Sequence, residues 1–144
     1  MKRLMGTSSD VSLTILRLVL GVVFFAHGAQ KMLGWFGGYG FQGTMGFFEH
    51  MGMPAPVAFL VICTEFFGGL GLIVGLLTRI AALGIGVEMI GAIFIVHLPN
   101  GFFMNWSGTQ KGEGFEYHLL AIAMAATLLL RGAGAFSADR AISK

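Results

Sequence analysis

Residues 11–34, VSLTILRLVLGVVFFAHGAQKMLG, are long enough as a helix to cross a bilayer, which takes about 20 residues at 1.5 Å each, yet they carry Arg17, His27 and Lys31. At about 100° per residue, Lys31 falls about 40° round the helix from Arg17 and His27 about 80°, so the three share one face with Phe24. Leu16, Leu20, Val22, Val23 and Phe25 take the other faces. An arginine near the membrane centre costs at least ~3 kcal/mol if it faces lipid. The basic face must therefore look inward, at acids or at water, and the rest of the chain can be read as what surrounds it.

Charged residues make up 11% of the 144 positions and hydrophobic ones 56%, with a mean hydropathy of +0.81. A soluble domain carries about 25% charge, so the composition is that of a membrane protein, and the length suits one domain. The net charge is +2 with the basic residues scattered, which gives no footprint for nucleic acid. The 23 glycines sit among apolar residues, as in packed membrane helices. A single cysteine, Cys63, excludes an internal disulfide and CxxC-type dithiol exchange. A signal peptide is the competing reading of the N-terminus, with Lys2 and Arg3 as its basic region and Ala26-His27-Gly28 as a cleavage site. Arg17 interrupts the apolar core and the segment is long, which favours a retained span.

The pattern predicts an all-α integral membrane four-helix bundle in one domain over residues 1–144, with spans at about 11–34, 57–77, 80–98 and 115–133. Ser9 or Asp10 is placed to cap the first span, and Ser137 to cap a short final helix. Residues 35–56 are rich in Gly and aromatics that suit a membrane–water interface, with one or two helical turns expected over 44–51 before Gly52 and Pro54. Gly71 and Gly75 form a small-xxx-small pair, and with only Thr78 and Arg79 between them the second and third spans form a tight hairpin. Four spans put both termini on one side, which holds Lys2, Arg3, Arg79, Arg131, Arg140 and Lys144, against Lys111 and Lys31 on the other. By the positive-inside rule both termini are cytoplasmic.

Three acids fall within spans, Glu65, Glu88 and Glu116, beside the bases Arg17 and Lys31. Their depths predict an outward-opening polar chamber. Its floor is an Arg17 network with Glu65 or Glu88, and His27, Lys31, His97, Glu116 and His118 lie toward the mouth with Trp35, Tyr39, Trp106 and Tyr117. Glu116 and His118 point about 160° apart, and Glu116 is taken as the inward one. Each feature has a plainer reading. The Arg17 pair fixes helix register, Lys31 snorkels, His97 sits at the interface and the aromatics form a belt. His27, His97, His118 and Glu116 lack HxxxH or ExxH spacing, so no metal is assigned, and haem between two histidines has no more support. No GxGxxG, P-loop or serine with a neighbouring base is present, so no catalytic residue is named.

Taken in order, these residues resemble the DoxX family of small bacterial inner-membrane proteins. The matching pieces are Arg17-Leu18, Gly21, Phe24, His27-Gly28 and Lys31, then Glu65 with Gly68-Gly69 and Gly71 to Gly75. Leu77-Thr78-Arg79, Glu88, His97 and the ending Gly132-x-Gly134-x-x-Ser137-x-Asp139 follow. The resemblance implies a four-helix membrane bundle and a loose association with redox chemistry. An archaeal relative forms part of a thiosulfate:quinone oxidoreductase, and many members are named as oxidoreductases. The leading expectation is a redox-associated membrane subunit that holds a quinone-like or similarly amphipathic ligand. Arg17, His27 or Lys31 would bond its oxygens, Glu65 or Glu88 would orient it or supply protons, and a soluble redox partner or another membrane subunit would bring electrons. A small proton-coupled transporter and a membrane scaffold with a structural ion network are the alternatives.

Overall fold

Asp10 closes the polar lead and opens the first helix. Its carboxylate accepts a hydrogen bond from the Ser12 amide at 2.8 Å, so of the two candidate caps, Ser9 and Asp10, the helix uses Asp10. In the computed structural model, which describes residues 5–143, this helix is α1 (Val11–Leu33). Gly34 ends it in the left-handed conformation, with its amide returned to the Ala29 carbonyl. A short turn at Trp35–Gly37 leads to α2 (Gly40–His50), which starts four residues before the expected turns. Then come α3 (Ala55–Val74), α4 (Thr78–Asn100), α5 (Glu116–Arg131) and α6 (Ala138–Ser143), the last opened by Ser137, whose hydroxyl accepts from the Arg140 amide. The described residues are all-helical. Helices α1, α3 and α4 are each long and apolar enough to cross a membrane, and α5 spans about 24 Å at 1.5 Å per residue.

The bundle core joins Leu20 and Phe24 of α1, Leu72 of α3, Ile85 and Met89 of α4, and Ala121, Ala125 and Leu128 of α5. Small residues bring α4 and α5 together. Ala82 is buried in their interface, and a side chain at Gly86 would already touch Ala125. The other sides of the helices expose Val19, Val22, Leu120 and Leu130, as lipid-facing surfaces do. Two expectations about the hairpin are corrected. Thr78 and Arg79 are the first residues of α4, and the turn is 75–77. Gly75 is not half of a helix–helix contact either. It ends α3 at φ +74°, and a Cβ there would lie 2.5 Å from Ser137 Cβ.

Arg17, 1% exposed, does not meet Glu65 or Glu88. Its guanidinium donates to the carbonyls of Leu72 and Ile73 in the last turn of α3, to Ala133 at 3.1 Å and to Phe136 at 3.2 Å in the tail. The reason is axial distance. Arg17 and Lys31 share a face but stand about 21 Å apart along α1, so they meet opposite parts of an antiparallel α3. The last carbonyls of a helix have no intrahelical donor, and a forked cation suits them. Arg79 does the same for α5, donating to Leu129 and Leu130, and reaches Gly6 as well. Asp139 is buried beneath them and accepts from the amides of Leu77 at 2.7 Å and Thr78 at 2.9 Å, capping α4. Leu77 and Phe136 hold positive φ without being glycine, and both are tied into this network. Lys2, Arg3 and Lys144, which enter the charge count for orientation, lie outside the described residues.

Replacing Arg17 with Leu strands buried carbonyls at both ends of this network. It should lower unfolding stability in detergent by about 3–5 kcal/mol. Arg17→Lys, which keeps the charge but not the fork, should recover only part of the loss. Recovery by Glu65→Gln or Glu88→Gln in the Arg17→Leu background would instead restore the acid pairing that the sequence suggested.

Candidate functional site

The site is built on the crossing of α1 and α3. Gly21, Gly28 and Gly69 have no side chain, and their backbones press on the facing helix. A Cβ on Gly21 would lie 2.9 Å from the Ile73 amide nitrogen, and one on Gly28 would overlap the backbone of Phe66. At this contact α3 widens into a π-turn at Thr64–Gly68. Such a turn inserts a residue into the helical register and re-aims the side chains around it. Here it turns Glu65 inward, 6% exposed, onto Lys31 of α1, with Nζ 2.5 Å from Oε2. Lys31 is therefore an ion-pair partner rather than a side chain reaching only for headgroups.

Glu65 and Lys31 stand on the wall of a cavity of about 900 Å³. Phe24 and His27 of α1, Phe47 and Phe48 of α2, Leu60 and Thr64 of α3, and Val87, Glu88 and Gly91 of α4 also line it, with Tyr117 and His118 of α5. Glu88 lines the same cavity as Glu65, and its Oε2 is buried with no protein partner. A second π-turn, Ile93–His97, ends the regular part of α4 and aims His97 at His118, ring centroids 4.0 Å apart. His97 Nδ1 lies 2.8 Å from the Glu113 carbonyl oxygen, while the buried His118 leaves its Nδ1 without a partner. Among the described residues, no three His, Cys, Asp or Glu side chains converge on one point.

Of the residues singled out from sequence, His27, Lys31, Glu65, Glu88 and His97 meet in this one cavity. Arg17 is two helical turns of α3 away, at the carbonyl network. Glu116 is corrected as well. It is not among the residues lining the cavity, and its Oε1 accepts from the Met104 amide at 2.8 Å and from Trp106 Nε1 at 3.3 Å, holding the 101–115 loop over the start of α5. A carboxylate in the first turn of a helix is favoured there by the helix dipole. His118, two positions on and on the opposite face, is the inward group. The sequence carries that opposition, but only the loop decides which member turns in. Chemically, the site is a largely apolar chamber whose polar wall carries the Lys31 ammonium, the Glu65 and Glu88 carboxyls and the unpartnered Glu88 Oε2 and His118 Nδ1, with Glu113 at the loop end.

Comparison with known proteins adds a family. The DoxX family profile matches residues 12–98. The chain is 33% identical to a Bacillus subtilis protein named "Putative oxidoreductase CatD", over 81% of this chain and 77% of the relative. It is 32% identical to the "Uncharacterized membrane protein Rv3486" of Mycobacterium tuberculosis, over 99% of this chain and 88% of the relative. It is 30% identical to the "Inner membrane protein YqjF" of Escherichia coli, over 94% of this chain and 95% of the relative. No solved structure matches the chain.

The Lys31–Glu65 pair can be tested by a double-mutant cycle read as unfolding stability in detergent. Lys31→Met leaves Glu65 buried beside Glu88 with no cation and should cost about 1–3 kcal/mol, the lower part of the range because Lys31 is partly exposed. Adding Glu65→Gln should return most of that loss. Strict additivity of the two changes would show that the contact carries no coupling.

Proposed function

The chain belongs to the DoxX family and is a multi-pass bacterial membrane protein, and from that premise we propose that it holds a quinone-like amphipathic ligand in the α1–α3–α4–α5 cavity. The observation that carries the reading is the pairing of an apolar chamber with one polar wall, Lys31–Glu65 beside Glu88, whose buried Oε2 has no protein partner. Lys31 and His27 are the donors for ligand oxygens, Glu65 fixes the Lys31 ammonium, and Glu88 is the group placed to give or take a proton at such an oxygen. His118 and His97 continue the polar wall toward the Glu113 carbonyl and the loop. The name of the Bacillus subtilis relative favours redox work. This chain supplies binding and protons in that reading, and a soluble redox partner or second membrane subunit supplies electrons. Arg17 and Glu116 take no part in it.

In the proposed orientation the hairpin and both termini face the cytoplasm across the inner membrane, and the 35–56 and 101–115 segments face outward. The support is the positive-inside count, with Arg79 and Arg131 at the hairpin end and Lys111 alone in the opposite loops. Cysteines introduced at Gln42 and Thr109 in a Cys63→Ser background should react with an impermeant thiol reagent on cells stripped of their outer membrane. Labelling at Ser143→Cys in their place would reverse the orientation.

Ligand binding is tested with the purified protein in nanodiscs and a short-chain benzoquinone, read by quenching of intrinsic fluorescence. Wild type should bind saturably. Lys31→Met and Glu88→Leu should each weaken binding about tenfold or more, the change that ~1.4 kcal/mol produces. Arg17→Lys should leave the affinity of the folded fraction unchanged. Binding that ignores Lys31 and Glu88, or proton flux through liposomes without any quinone response, would replace this reading with that of a proton-coupled carrier.

A further inference from the structure

We infer that the cavity is entered from within the bilayer, through a groove between α3 and α4, and that its ligand carries one long apolar chain which lies in that groove. The inference rests on the reading of the cavity as an amphipath site and adds the route and the shape of the molecule. Helices α3 and α4 pack on each other at the π-turn Thr64–Gly68 and near the hairpin, and beyond the π-turn the cavity separates them. On α4 the outer edge of the lining follows Ile80, Leu83, Val87, Gly91 and Ile95, at helical spacing and about 22 Å long, with Glu88 and Ala92 beside it. Its side chains Ile80, Leu83, Val87 and Ile95 are exposed, Val87 at 61% and Ile95 at 62%, and Leu60 on the α3 side is also 61% exposed. An opening with such walls faces hydrocarbon, not water. The end away from the hairpin is closed over by α2, which packs on α1 and α3 and sets Phe47, Phe48 and Met51 into the wall.

At the floor of this apolar groove stand the charges, Lys31, Glu65 and Glu88. A second copy of the chain laid into the groove would bring lipid-facing side chains such as Val19 or Leu120 against Glu88 and leave its carboxyl unpartnered. A molecule with a polar head and one long chain satisfies both surfaces, with the head on the acids and the chain along the α4 edge. Room for it is visible at Gly91, where an added Cβ would meet no atom within 4 Å.

The test uses two photoreactive probes with the same diazirine-bearing alkyl chain, one ending in a benzoquinone and one in a carboxylate, applied to the protein in nanodiscs. Labelling should concentrate on peptides covering 57–64 and 80–96. Gly91→Leu fills open space and should fold normally, while reducing that labelling about tenfold. Labelling spread over the outer sides of α1 and α5 in proportion to their exposure would overturn the groove. So would labelling that Gly91→Leu leaves unchanged, or copy-to-copy cross-links from Gly91→Cys in its place. The two arms separate this inference from the quinone reading. If both probes label the groove equally and a chainless benzoquinone competes with neither, the groove stands and the quinone assignment falls. If the chainless quinone binds at the Lys31–Glu65 wall but neither chain labels the groove, the reverse holds.

Discussion

Backbone carbonyls at the end of a helix have no donor of their own, and inside a bilayer no water arrives to supply one. The described structure answers this with Arg17 at the end of α3, Arg79 at the end of α5 and Asp139 at the start of α4. Together they draw the 132–139 tail under the bundle and hold the α3–α4 turn in a conformation that Leu77 would not adopt alone. Everything above depends on this knot. It sets the separation of α3 and α4 at one end, and so where they touch and where they part.

A second constraint acts along the α1–α3 crossing. With Gly21, Gly28 and Gly69 the two backbones come into contact, and the close crossing leaves little room for error in the position of Lys31 relative to Glu65. The two π-turns lie where the cavity is lined by charged or imidazole groups, Glu65 in one and His97 in the other. Each inserted residue costs regular hydrogen bonding, and each is retained where a polar side chain must turn inward. Rigid glycine contacts and irregular turns build the cavity on helices rather than on loops.

Much of the site was legible in the chain before it was folded. Charges within apolar spans identify inward faces, because lipid excludes them, and this alone selects Lys31, Glu65 and Glu88. The same logic errs at Arg17. It assumes that a buried cation seeks an acid, whereas a forked guanidinium is equally satisfied by four carbonyls that no sequence pattern displays. It errs again at Glu116, where periodicity opposes Glu116 to His118 but does not choose between them. The choice is made by the amides of Met104 and the indole of Trp106, whose loop has no period to read.

By itself the sequence determined the all-helical membrane class, the choice of Ser9 or Asp10 as the first cap, and the family, because each follows from local composition, spacing or ordered motif. The tertiary structure decided which charges meet. Arg17 and Lys31 share a face of one helix, yet an antiparallel partner presents its C-terminal carbonyls to one and a π-turned glutamate to the other. Axial register between helices and the insertion of a single residue into a helical turn are relations across the fold. They depend on where backbones touch, and no one segment carries them.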